Sequence, residues 1–132
     1  MFGRKKANKL IEDIDRYFDL MDQSVLAFKD GVRNYLYSNN DDFNGNLKKM
    51  SDLESETEVL RREIENGLFT QTALVRSRGD IMRLLEKTRN ITAILYDSLF
   101  QFEIETPFIP SALNSEFMKL TECSTLAVEA VV

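Results

Sequence analysis

The sequence predicts an all-α fold, an antiparallel up-down helical bundle, and three observations predict it. Apolar residues recur at spacings of three and four over long stretches, the signature of one buried helix face. Five glycines and two prolines in 132 residues are too few for an all-β chain with many turns. Met, Leu, Ile, Glu, Lys and Arg, which lose little side-chain freedom in a helix, fill most segments. The length suits one domain that buries its own core without disulfides or metals. With 43% apolar and 30% charged residues the chain reads as globular rather than disordered.

The first helix carries Leu10, Ile14, Tyr17, Met21, Val25, Phe28, Val32 and Tyr35 on one stripe, about eight turns long. Ser38 to Asp42 is a run of Ser, Asn and Asp that prefers turns and caps, so it ends that helix. A second stripe follows through Phe43, Leu47, Met50, Leu53, Thr57, Leu60, Ile64 and Leu68, with Asp41 or Asp42 as the expected N-cap. The pattern lapses from Thr70 to Arg76. Ser77-Arg78-Gly79-Asp80 reads as a capping box with Asp in place of Glu. The third stripe is Ile81, Leu84, Leu85, Thr88, Ile91, Leu95, Leu99 and Phe102, and it stops before Pro107. Thr106 to Pro110 forms an extended connector. Ser111 is then the expected cap of a fourth helix with Leu113, Phe117, Leu120, Ser124 and Val128 on one face. Short connectors make sequential helices antiparallel neighbours. The fourth helix runs, still amphipathic, into Val132, so the expectation is a longer protein continuing beyond it, with this apolar face covered by the bundle or by another chain.

Charge and chemistry narrow the function. The net charge is −5 with the two signs interspersed, which argues against nucleic acid as a ligand of the whole chain. Arg4, Lys5, Lys6 and Lys9 form a basic start that suits an anionic membrane surface, or else simply a frayed terminus. The single cysteine, Cys123, forms no internal disulfide and is expected as a small buried helix residue in a reducing compartment. The chain has no histidine, which removes Cys–His nucleophiles, His-based zinc sites and the Glu-x-x-His ligands of di-iron bundles. No phosphate-cradling Gly-rich loop or nucleophile elbow is present. The expectation is a binding protein rather than an enzyme, cytoplasmic and without a membrane span.

One constellation stands out. Glu54 and Glu58 lie four apart and share a face of the second helix, beside Met50, Thr57 and Leu60. Two like charges at that spacing repel unless a cation lies between them. A hard metal ion or a basic side chain from a facing helix fills that role. The plainer alternative is a solvated Glu58 pairing with Arg61 or Arg62.

Leu53 to Leu68, reading LESETEVLRREIENGL, resembles the Glu-x-Glu-Ala-Asp-containing second helix of PhoU-like proteins, in particular the regulators that accompany Pit-type phosphate transporters. Arg78-Gly79-Asp80-Ile81 with Leu84-Leu85-Glu86 resembles that family's Arg-Glu-Asp-Ile start of the third helix. The opening Met1-Phe2 with Lys5-Lys6 and the Pro-containing connector also fit. The resemblance implies three-helix repeats, with residues 1–106 as the first and residues 107–132 as the connector and first helix of a second, incomplete one. It implies a regulatory or accessory protein of inorganic phosphate transport, acting by protein–protein binding at the cytoplasmic membrane face. The transporter or a signalling protein would be its partner, and homo-oligomers are expected.

The family's acidic metal motifs, which hold divalent or ferric ions, map in part. The first falls on Glu54 and Glu58. At the second, this chain reads Thr88-Arg89-Asn90-Ile91-Thr92-Ala93, so Arg89 and Ala93 replace two carboxylates. Glu54, Glu58 and Asn90 are too few ligands for an all-protein metal site. The expectation is instead that Arg89 replaces the cation and pairs with Glu54 or Glu58. Two other functions compete: a helical interaction or dimerisation module unrelated to phosphate, and a metal-binding bundle.

Overall fold

The computed structural model describes residues 2–70 and 76–130, and the side-chain surroundings of all of these except residues 2, 3, 6 and 7. Its elements are α1 (Phe2–Leu36), α2 (Asn40–Thr70), α3 (Arg78–Glu105) and α4 (Asn114–Glu129), with one 3-10 turn at Ser111–Leu113 ahead of α4. There is no strand among the described residues.

Cross-helix contacts fix the directions. Leu10 of α1 lies against Gly67 of α2, Arg16 pairs with Glu56, and Asn34 Nδ2 donates to Asn46 Oδ1 at 2.7 Å, so α1 and α2 are antiparallel. Tyr17 Oη donates to the Leu85 carbonyl at 2.8 Å and the Tyr35 and Phe102 rings lie 4.8 Å apart, so α3 runs parallel to α1. Asn114 Nδ2 donates to the Leu36 carbonyl and Lys29 pairs with Glu129 at 3.0 Å, so α4 returns antiparallel to α1. The result is an up-down-up-down bundle in which α1 touches all three other helices.

The core follows the predicted stripes closely in α1 and α2. The eight residues named for the second stripe are the buried residues of α2. Tyr17, Met21, Ile64, Leu68 and Leu99 lose nearly all their exposure, and each such side chain contributes roughly 1.5–3 kcal/mol of burial. In α3, Leu84 is 41% exposed and falls off the stripe, while Thr92 is buried in its place. Thr92 is tolerated there because its hydroxyl donates back to the Thr88 carbonyl at 3.1 Å, which leaves its methyl for packing.

Several expectations at the helix ends are corrected. Asn40 already starts α2, and Asp41 and Asp42 occupy its first turn rather than its cap, where carboxylates favour the positive end of the helix. Ser77 precedes α3 with helical backbone and no side-chain cap bond, so the capping box does not form. Ser111 opens a 3-10 turn, and Leu113 is the residue that precedes α4. Part of the lapsed segment, residues 71–75, lies outside the described residues, as does Val132.

The largest correction concerns α4. Its buried residues are Asn114, Thr121 and Thr125; of the expected stripe, Phe117 and Val128 are half-buried against the core, whereas Leu113 and Leu120 are 51% and 62% exposed. Ser124 and Cys123 are exposed too, so Cys123 is not a core residue. The physical reason lies at the α1 face. Thr121 and Thr125 satisfy their hydroxyls within the helix, by bonds to the Phe117 and Thr121 carbonyls. Glu122 and Glu129 meet Arg33 and Lys29 of α1 at the flanks. Phe117, Met118 and Val128 pack against the core, small Thr121 and Thr125 sit buried beside them, and the ion pairs lie at the exposed flanks.

Candidate site: an acidic cleft crossed by arginines

The antiparallel register of α2 and α3 places Glu58 opposite Arg89. Arg89 Nε lies 3.0 Å from Glu58 Oε2. The expected cross-helix pair is therefore made with Glu58 and not with Glu54. Glu58 also serves its own helix. Arg61 donates from Nη2 to Oε1 at 2.7 Å and from Nε to Oε2 at 3.1 Å, and Arg62 Nε lies 3.4 Å from Oε1. The intrahelical alternative and the cross-helix expectation thus hold together. Arg61 bonds Glu65 as well, so two carboxylates hold one mostly buried guanidinium.

These contacts divide the two glutamates. The Arg61 hydrogen bonds, with the charges of Arg61, Arg89 and Arg62, hold the Glu58 carboxyl below the usual carboxylate range despite partial burial. Glu54 moves the other way. Partial burial raises it first, and the negative charge of Asp97 adds to that, against an opposing pull from Arg89. Among the described residues Glu54 has no cationic partner within 4 Å. Glu54, Glu58, Ser55, Thr57, Arg89 and Thr92 line a shared cleft of about 390 Å³ between α2 and α3. Asn90 and Ala93 do not line it; Asn90 is exposed and Ala93 is half-buried.

A metal ion does not fit this donor set. Both Glu58 oxygens face guanidinium groups, which would repel a hard cation. No group of three or more His, Cys, Asp or Glu side chains gathers with metal-holding geometry among the described residues. The arrangement can instead hold two helices in register and present one unneutralised carboxylate, Glu54, to the cleft.

Two features escaped the sequence reading. Asp97 acts on Glu54, and it was legible in principle: positions 89, 93 and 97 share one helix face at spacings of four. Beneath the cleft, Tyr17 reaches from α1 to the Leu85 carbonyl while Thr88 Oγ1 lies 3.3 Å from its hydroxyl. Burial raises the Tyr17 hydroxyl above its ordinary value, with the Thr88 bond opposing. No sequence spacing marks that contact, because it joins residues about 70 apart.

No helix among the described residues is long and apolar enough to cross a membrane. No protein-family model matches the chain, and no solved structure matches it. Curated proteins do. The chain is 26% identical over 129 residues to the UPF0111 protein PH1389 of Pyrococcus horikoshii, covering 98% of this chain and 60% of that protein. It is 26% identical over 133 residues to a UPF0111 protein of Thermotoga maritima, covering 98% and 61% respectively. The chain spans about three-fifths of the length of these relatives. Their family name is not the PhoU-like one suggested by the second and third helices, and it mentions no phosphate transport. Along nearly its whole length, this chain is similar to UPF0111 proteins.

Proposed function

We propose that the chain is a regulatory or accessory protein of inorganic phosphate transport, built on a PhoU-like three-helix repeat and acting by binding rather than catalysis. One observation carries the reading. The two places where the resemblance puts acidic motifs, Glu54 with Glu58 and Arg89 with Ala93, sit on facing helices, and Glu58 meets Arg89 at 3.0 Å. In this reading the arginine fixes the α2–α3 interface that carboxylates and a metal ion would otherwise hold. Residues 1–106 form the first repeat, and α4 opens a second. The partner is a phosphate permease or a signalling protein at the cytoplasmic face of the membrane, and the protein works as an oligomer.

The test is co-purification. The chain is co-expressed with a tagged Pit-type permease and extracted in mild detergent, and phosphate uptake is measured in cells with and without it. Co-elution together with an altered uptake rate supports the reading. No co-elution and unchanged uptake sink it.

A second reading rests on α4. Leu113, Leu120 and Leu126 are each more than half exposed, which favours a helical interaction module unrelated to phosphate. Unchanged uptake, together with a dimer broken by Leu120→Lys, would favour that module.

A further inference from the structure

The two ends of this bundle differ in charge, although the signs are interspersed between them. One end gathers the start of α1, the end of α2 and the start of α3. Lys9, Leu10, Gly67 and Thr70 line one hollow there, with Asp13 and Glu63 on its side toward the middle of the bundle. Arg78 bridges α3 to α2: its Nε donates to the Leu68 carbonyl at 2.9 Å and its guanidinium sits 5.2 Å from the centre of the Phe69 ring. Residues 2–9, 66–70 and 76–83, which lie at this end, carry seven basic side chains and one acidic. The rest of the chain carries ten basic and twenty-one acidic. At the opposite end, residues 34–46 and 98–112 hold four acids and no base. A protein of net charge −5 and pI about 4.8 therefore has one strongly positive end.

We infer that this end is a docking face for an anionic lipid surface, formed jointly by Arg4, Lys5 and Lys9 of α1 with Arg76, Arg78 and Arg83 at the start of α3. The sequence separates these two clusters by some 70 residues, and only the fold brings them together. Arg78 is half-buried over Phe69 and the other five are exposed, Arg83 in an ion pair with Asp80 on its own helix. The side chain of Lys6 lies outside the described residues. Because Leu10 meets Gly67, α1 runs on one to two turns beyond the end of α2 as a projecting basic arm.

Apolar groups sit among these charges. Phe69 is 61% exposed beneath Arg78, and Ile11 is 57% exposed on the third turn of α1. Basic side chains interleaved with exposed apolar ones suit the boundary between lipid headgroups and acyl chains. A nucleic-acid ligand would call for a basic track along a groove, and the flanks of this bundle are acidic instead. The acidic far end then points away from the membrane, which orients the molecule end-on. This deepens the proposed membrane-face reading by naming the surface and the residues, and its test needs no transporter.

The experiment is flotation of the whole chain with vesicles of phosphatidylcholine alone or with roughly a third phosphatidylglycerol, at low and moderate salt. Each basic side chain near an anionic surface contributes about fivefold in affinity, equivalent to about 1 kcal/mol. The expected result is binding to the anionic vesicles alone, weakened by salt. Arg76→Gln with Arg83→Gln should lower affinity about 30-fold, and so should Arg4→Gln with Lys5→Gln. Lys48→Gln with Lys49→Gln, elsewhere on the bundle, should leave it unchanged. Circular dichroism checks that each variant is folded. No binding to anionic vesicles at low salt overturns the inference. So does equal binding to neutral vesicles, loss through the Lys48 and Lys49 pair alone, or tighter binding to a DNA duplex than to the vesicles. A failed phosphate-uptake test leaves this surface standing, and failed flotation leaves the transporter reading standing.

Discussion

Arg89 of α3 and Glu58 of α2 meet across the helix interface, Nε to Oε2, at 3.0 Å. The pair is unequal. The Arg89 side chain is 50% exposed, whereas Glu58 is 25% exposed and also serves Arg61 and Arg62. Solvent screens the Arg89 contribution, so the coupling in a double-mutant cycle of Arg89→Ala and Glu58→Ala should be about 0.5–1 kcal/mol. Glu58→Ala alone should cost more, about 1–2 kcal/mol, because Arg61 loses two hydrogen bonds while only 18% exposed. Urea unfolding of the four proteins measures both. A coupling near zero would mean that Arg89 contributes nothing to the register of α2 and α3.

The two glutamates should leave opposite marks on the pH dependence of stability. Glu58 has a lowered pKa, because Arg61 hydrogen-bonds its charged form. Its contribution is therefore present above the unfolded value of about 4.3 and is lost as pH falls through the folded value. Glu54 has a raised pKa, chiefly from burial. The folded state holds its proton more tightly, so stability declines as pH rises from about 4 through that raised value. Glu54→Gln should raise the urea midpoint at pH 7 and converge with the parent near pH 4. Glu58→Gln should lower the midpoint at pH 7, with the deficit shrinking toward pH 3. Parallel curves for both variants across this range would refute the division of roles.

How much of this was legible in the sequence depends on what sets each feature. The α2 core was legible in full, because burial there follows a helical period and Leu53, Leu60 and Ile64 have no competing chemistry. The α4 face was legible only in part: Phe117 and Val128 of its stripe pack against the core, while Leu113 and Leu120 do not. Its leucines satisfy the same period, yet the residues that α4 meets, Leu36, Arg33 and Lys29 of α1 and Phe102 of α3, lie far away in sequence. The Arg89 pair was legible as a choice between two glutamates, since spacing puts Glu54 and Glu58 on one face but does not give the register of α3. Only the packed register selects Glu58, and it leaves Glu54 to Asp97.

Gly31 marks the closest approach of α1 and α3. A Cβ built there would lie 2.6 Å from Leu99 Cδ2 and 2.8 Å from its Cδ1. Leu99 is fully buried and cannot swing into solvent. Gly31→Ala gains up to about 1 kcal/mol in helix propensity, which offsets a modest shift of Leu99, so it should come out near neutral. Gly31→Val should destabilise by about 1–3 kcal/mol through overpacking. Leu99→Ala alone should cost about 2–5 kcal/mol by leaving a cavity. Combined, the Val and Ala changes should cost clearly less than their sum, because the new side chain fills that space. Additive losses would show that the two residues do not compete for the same volume.

Ser38 adopts φ 61° just after α1, a left-handed conformation held by a residue other than glycine. Its N–H donates to the Tyr35 carbonyl at 3.2 Å, and the Asn39 N–H donates to the Asn34 carbonyl at 2.8 Å. Those two bonds are a Schellman closure, with Ser38 at the position where glycine is usual. A side chain in that conformation costs about 1–2 kcal/mol. Ser38→Gly removes the cost but gives the unfolded chain more freedom, so a net gain of about 0.5–1 kcal/mol is expected. Ser38→Val, β-branched and worse suited to positive φ, should lose at least as much as glycine gains. Thermal melts of the three proteins decide it: a midpoint ordered Gly, Ser, Val places the strain at this turn, and a glycine variant less stable than the parent would show that the Ser38 side chain itself supports the turn between α1 and α2.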